Sequence, residues 1–229
     1  MGSFEIDGIK LEIPDNCLSP QLTASLESGR YEGTESHALK RHLVPGDRVV
    51  DLGAGAGYLC TLAARIVGGQ NVLGVEGNPA MAPVARANLR RNGAANGTVL
   101  HGAVVGDEFK GDTVRFLARQ AFWAGSIDET SDTRDRHVDV PVLRLGDILK
   151  RHEPSLVIMD IEGAEADLAG YPWPDHVRMV ILEVHTNRYL PEALHSIFTG
   201  FFEVGFTYCP WGSRAETLVF ERATPKGSR

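Results

Sequence analysis

The chain has 229 residues, 43% of them hydrophobic and 23% charged, with 23 Lys+Arg against 30 Asp+Glu and a formal net charge of -7. This balance suits a globular chain with a real core and excludes fibrous and disordered classes. The acidic surplus and the short apolar runs, such as residues 155–159 and 179–182, argue against nucleic acid or a membrane as partner. With no basic-then-apolar leader at the N-terminus, the cytoplasm is the expected compartment.

Residues 1–30, with Pro14 and Pro20, read as an N-terminal arm carrying a short strand and a helix. A regular pattern then begins. A helix over 36–43 and a Pro45-Gly46-Asp47 turn lead into a strand over 48–52. Gly53 to Gly57 form a glycine-rich turn, a helix over 58–67 stops at Gly68-Gly69, and a β-branched strand follows over 71–76. Asn78-Pro79 opens a helix to Arg91, with Asn as cap and Pro at the first helical position. Further strands are expected over 98–101, near 114–117, over 156–160 and over 180–184. Residues 206–220 read as a terminal antiparallel pair. Strands alternating with helices mean an α/β fold, a mostly parallel sheet with helices on both faces. No linker marks a second domain, so residues 31–222 are expected as one domain and 223–229 as a tail. The polar stretch from Trp123 to Asp139 suits a loop that closes over substrate.

Three well-separated cysteines, Cys17, Cys60 and Cys209, form no C-x-x-C pair and read as reduced thiols. The glycine turn follows Asp51 and contains Gly53, Ala54, Gly55 and Gly57. A dinucleotide fingerprint would need glycine or alanine where Tyr58 or Cys60 stands, and no Gly-Lys-Ser/Thr follows for a phosphate loop. A carboxylate at the strand end repels a pyrophosphate but suits the ammonium and sulfonium of S-adenosylmethionine. Glu76, at the next strand end, can accept hydrogen bonds from the two ribose hydroxyls of an adenosine, beside Gly77 and Asn78. Glu35 is expected to help hold the cofactor, with the backbone of His101, Gly102 and Ala103 against the adenine.

Asp160, Glu162, Glu183 and His185 gather at the carboxyl edge of the later strands, where open α/β sheets bind ligands. Mutual repulsion should raise at least one carboxyl enough to act as a base, and His185 is the other candidate. Glu165 and Asp167 read as solvated acids at a helix N-terminus. A variant of the site binds Mg²⁺ or Mn²⁺ through the carboxylates and His185, although no metal is the favoured reading. Trp123, Trp173 and Trp211 are candidates for an acceptor pocket, with core packing the commoner fate of a tryptophan.

Together the segments Gly33-Thr34-Glu35, Val50 to Gly57, Gly74 to Pro79, Met159 to Glu165 and Leu182 to His185 resemble the FkbM-type S-adenosylmethionine-dependent methyltransferases, over roughly residues 31 to 222. The most specific piece is Asp160-Ile161-Glu162-Gly163-Ala164-Glu165. The resemblance implies a Rossmann-like class I fold with a seven-stranded, mostly parallel sheet whose last strand is antiparallel. It also implies S-adenosylmethionine as cofactor and O-methylation of a small-molecule, sugar or natural-product hydroxyl. Family members often carry asparagine in the glycine turn where this chain has Gly55. The alternatives are a protein that binds S-adenosylmethionine without catalysis and an N-methyltransferase acting on a small molecule or a protein. The acceptor's identity and the oligomeric state are not legible.

Overall fold

The computed structural model describes residues 1–118, 126–127, 136–161, 164–185 and 191–223. Most of the stretch 123–139 and Glu162 of the acidic cluster therefore lie outside the described residues. In chain order the elements are β1 (Gly2–Ile6), β2 (Ile9–Ile13), α1 (Pro20–Glu27), α2 (Gly33–His42), β3 (Val49–Leu52), α3 (Tyr58–Val67), β4 (Val72–Glu76) and α4 (Met81–Arg91). They continue with β5 (Thr98–His101), β6 (Ala103–Val105), β7 (Thr113–Ala118), β8 (Ser126–Ile127), β9 (Arg136–Arg144), α5 (Leu145–His152) and β10 (Leu156–Met159). The last are α6 (Glu165–Ala169), β11 (Met179–Glu183), α7 (Pro191–Glu203), β12 (Phe206–Arg214) and β13 (Thr217–Arg222).

Seven strands form the main sheet in the order β12-β13-β11-β10-β3-β4-β5. The neighbours from β11 through β5 run parallel, and β13 inserts antiparallel between β11 and β12. This is the expected sheet with its antiparallel last strand. Its central strands are buried on both sides, which is why they read as near-continuous apolar runs. Alternation of side chains sends Val49, Leu156, Ile158, Met179 and Ile181 into one core layer, under α1 to α4. Val50, Leu52, Val157, Met159, Val180 and Leu182 enter the opposite layer, under α5 to α7.

The arm departs from its expected form. It is an antiparallel hairpin, β1 with β2, followed by α1, and Ile6, Ile9, Leu11, Ile13, Leu22 and Leu26 sit in the same core layer as α3 and α4. Asp7 and Gly8 both have positive φ, 52° and 72°, the turn that an Asp-Gly pair favours. The fully buried Asn88 on α4 pins the hairpin: its Oδ1 accepts the Glu12 amide at 3.0 Å, and its Nδ2 donates to the carbonyls of Glu12 and Ala56. A second sheet, β6-β9-β7-β8, was not foreseen beyond the strand near Val114. Trp173 is buried against Phe201 and Phe206 in the core, and Trp211 is 65% exposed, so neither lines a pocket. All three cysteines are free and buried.

Candidate active site

The carboxyl ends of β4, β3, β10 and β11 open onto a cavity of about 900 Å³, roofed by the start of α2 and bounded by the β12–β13 turn. At its floor the chain must turn from β3 into α3 while another backbone passes close by. Gly53, with φ +97°, makes this possible: a Cβ there would meet the Asp160 carbonyl oxygen at 1.8 Å. The amides of Gly53 and Ala54 both donate to the Val75 carbonyl at 2.9 Å, tying the turn to β4. Gly57, with φ +81°, has a different role: a Cβ there would press on Ala85 and Leu89, so the glycine lets α3 close on α4.

Glu76 ends β4 as the expected carboxylate, 7% exposed, and each of its oxygens takes one backbone amide. Oε2 accepts from Gly55 at 2.7 Å and Oε1 from Asn78 at 2.6 Å. The second lone pair on each oxygen is left for a ligand. Burial pushes this carboxyl up to about 7 against the pull of the two amides, and Asp51 adds repulsion. Beside it Gly77 is kept bare by the ring of Phe116, 2.7 Å from where a Cβ would stand, and Phe116 supplies a flat wall next to Gly102 and Ala103.

Of the residues expected to hold the cofactor, Glu35, Gly53, Gly55, Glu76, Gly77, Gly102 and Ala103 line the cavity. Asp51, Ala54, Gly57, Asn78 and His101 stand behind the wall. Asp51 is 2% exposed and accepts the Cys60 thiol at 3.1 Å, and burial pushes its carboxyl up to about 6. Glu35 is a lining residue whose Oε1 also accepts from Thr34 and from the buried Thr217, so it braces α2 against β13.

Across the cavity from Glu76, Asp160, Glu183 and His185 each bring one ligand atom to within 4.8 Å of the others, a grouping that could admit a divalent cation. The His185 ring lies between two carboxylates. Its Nε2 is 3.4 Å from Asp160 Oδ1 and its Nδ1 is 3.4 Å from Glu165 Oε1. Glu165 is 0% exposed, which corrects its expected place as a solvated helix-end acid; Asp167 is exposed as expected. Glu32 is a residue that pattern reading missed. It precedes α2 with φ 48°, and its Oε2 is buried with no hydrogen-bond partner. Burial pushes its carboxyl well above the ordinary range, helped by repulsion from Asp51, Glu35 and Glu183. The available signal was its place beside Gly33, one residue ahead of a helix that opens onto the strand ends.

A doubly anchored carboxylate and an acid–imidazole cluster thus share one cavity at the strand ends. A methyltransferase FkbM domain model matches residues 51–208. Ribosomal protein L11 methyltransferase of Thermus thermophilus is 46% identical over 76 residues, 30% of this chain and 29% of that protein. Arsenite methyltransferase of Halobacterium salinarum is 47% identical over 55 residues, 24% of this chain and 14% of that protein. The chain thus spans less than a third of the length of these relatives. Among solved structures, a ribosomal protein L11 methylase from Lactobacillus delbrueckii subsp. bulgaricus superimposes with a TM-score of 0.52 at 15% identity, covering 86% of this chain and 80% of that one. A precorrin-6y C5,15-methyltransferase from Geobacter metallireducens gives 0.50 at 12% identity, covering 93% and 94%. These likenesses establish the shared fold. With the domain model covering most of the chain and the glycine turn, Glu76 and the later acids in place, this protein belongs to the FkbM family of S-adenosylmethionine-dependent methyltransferases.

Proposed function

We propose that the protein transfers the methyl group of S-adenosylmethionine to a hydroxyl of a small molecule, sugar or natural product. The observation that carries this reading is the facing arrangement of the doubly anchored Glu76 and the Asp160–Glu183–His185 group across one cavity. The cradle fits the cofactor. Glu76 keeps lone pairs for ribose hydroxyls, Phe116 and the backbone at Gly102 and Ala103 offer a flat wall for a base, and the bare Gly53–Gly55 turn leaves room at the floor. Bound S-adenosylmethionine supplies a methyl group on a sulfonium, ready for in-line displacement.

The chain's own contribution is to hold the acceptor oxygen on that line and to receive its proton, and positioning supplies much of the rate. Asp160, Glu183 and His185 are the groups offered for the proton. Glu162 belongs to the same proposed set by sequence. This reading needs no metal, because a nitrogen base stands beside the carboxylates. The acidic lining and the net charge of -7 favour an uncharged or cationic acceptor over nucleic acid. No helix among the described residues is long and apolar enough to cross a membrane.

The test is transfer of labelled methyl from S-adenosylmethionine into fractionated cell extract. Label in the small-molecule or glycan fraction supports the proposal, and label in protein would favour N-methylation. No label in any fraction, with S-adenosylhomocysteine still bound, would favour a non-catalytic binding role.

A further inference from the structure

Glu32 stands one residue ahead of α2, in the roof of the cavity, and precedes the span 51–208 that the family model matches. Its backbone lies in the left-handed region, at φ 48° and ψ 37°, a conformation that a residue with a Cβ adopts only at a cost. Neighbours hold it there. Its carbonyl accepts the Ser36 amide at 2.9 Å, and the buried Tyr31 before it packs on Tyr58 at the start of α3 and meets Ala56 in the glycine turn with its hydroxyl. The Glu32 side chain does not cap its own helix, and Oε2 is buried with no hydrogen-bond partner. Burial raises its carboxyl, as do Asp51, Glu35 and Glu183, against one hydrogen bond from Tyr31. Backbone strain and an unsatisfied buried oxygen on one cavity residue point to a ligand contact.

Charge decides which ligand. The groups that act on Glu32 include three carboxyls and no cation, and among the described lining residues the Lys and Arg side chains are Arg30 and Arg214 alone, both exposed. An ammonium group, a compact charge with three N–H donors, completes such a carboxyl and restores its ionised form. Rotation about the last side-chain bond, a soft torsion, turns either oxygen toward the cavity. The nearby acids are already committed: Glu35 to Thr34 and Thr217, Glu76 to two amides. Asp51, the acid expected to meet the cofactor's ammonium, is instead behind the wall on the Cys60 thiol. We infer that Glu32 takes that place and binds the ammonium group of the methionine part of S-adenosylmethionine. This rests on the cofactor reading above, with the ribose on Glu76. The glycine turn beside Tyr31 follows β3, which lies between β4, ending in Glu76, and β10, followed by Asp160, so Glu32 serves the same cavity as both.

The test is calorimetry on the full chain with two probes, S-adenosylhomocysteine and its deamino analogue, which keeps the nucleoside, the thioether and the carboxylate but has hydrogen in place of the ammonium. The wild type should bind the analogue about 10- to 150-fold more weakly, the worth of a hydrogen bond between charged groups. Glu32→Gln keeps the size and removes the charge. It should weaken S-adenosylhomocysteine about tenfold and bind the analogue at least as well as the wild type does, so that the gap between the probes shrinks by about the same factor. Because the change relieves repulsion among buried acids, thermal unfolding of Glu32→Gln should occur no lower than that of the wild type. A lower melt with equal loss for both probes would make Glu32 a structural residue and overturn the inference, as would a variant that binds S-adenosylhomocysteine as tightly as wild type. Equal affinity of the wild type for the two probes also overturns it, and decides the point even if the variant does not fold. If the wild type binds neither probe, the cofactor reading fails and takes this role with it. If it binds both alike, only the present inference fails.

Discussion

Glu76→Ala should weaken binding of S-adenosylhomocysteine and also loosen the fold, and the structure separates the two costs. Removing the carboxylate leaves the amides of Gly55 and Asn78 without their acceptors, at about 1–3 kcal/mol each for a buried unpaired group, a loss of about 2–6 kcal/mol in stability. The same change deletes the acceptors proposed for the ribose hydroxyls, another 1–3 kcal/mol in binding by the same estimate, or about 5- to 150-fold in affinity. Glu76→Gln keeps an acceptor oxygen for only one of the two amides and turns an NH₂ toward the other, so it should fall between wild type and Ala on both measures. Calorimetry with S-adenosylhomocysteine at about pH 8, above the carboxyl's value of about 7, reads the affinity. Thermal unfolding of the same samples reads the stability. A folded Ala variant that binds as tightly as wild type would refute the cradle.

In the fold Glu76 and Asp51 keep their protons up to about 7 and about 6, against ordinary values of 4.5 and 3.8. The ligand-free folded chain therefore binds more protons than the unfolded chain between about pH 4 and 7. Its stability should fall as pH rises through that window, by about 3 kcal/mol from Glu76 alone. Denaturant titrations across the window check this, and a flat profile would contradict the burial of these carboxyls. Because ribose hydroxyls need an ionised Glu76, affinity for S-adenosylhomocysteine should rise with pH over the same range, with proton release visible in buffers of different ionisation heat. Gly53→Ala drives a Cβ into the Asp160 carbonyl at a φ of +97° and should cost about 4 kcal/mol or more, roughly 10 °C in Tm. Gly33→Ala meets nothing within 4 Å and should stay within about 0.5 kcal/mol, and equal melts for the two would undermine the close approach at Gly53. Methyl labelling is expected to survive exhaustive chelation, and its loss with recovery on adding Mg²⁺ or Mn²⁺ would move Asp160, Glu183 and His185 from proton handling to metal binding.

Much of this site was legible in local pattern. Val49 to Leu52, Val72 to Glu76 and Leu156 to Met159 are apolar on both faces because helices cover both, and that alone forecasts a parallel sheet with ligands at its carboxyl edge. The glycines at 53, 55 and 57 announce a turn that no side chain could fill, and Glu76 sits at the strand end that follows. The Asp7-Gly8 turn of the N-terminal hairpin was passed over in the sequence, because the arm's scattered apolar residues hid the pairing.

Other features depended on how distant segments meet. Asp51 and Glu76 lie near the ends of adjacent strands, but Asp51 pairs with Gly74, two residues short of Glu76, and takes the Cys60 thiol behind the cavity wall while two amides hold Glu76 on it. Glu165 and Asp167 are two residues apart at one helix start, and the turn of α6 buries the first beside His185 and leaves the second in solvent. Trp173 packs on Phe201 and Phe206 for a similar reason, since α7 covers it. The amino-acid sequence by itself determined the order of elements, the glycine turn and the inventory of acids at the strand ends, because those follow from side-chain periodicity and backbone sterics within a few residues. Which acid is solvated, which braces the fold and which faces the cavity was decided only by tertiary packing, because the environment of a carboxylate is set by groups far away in the chain.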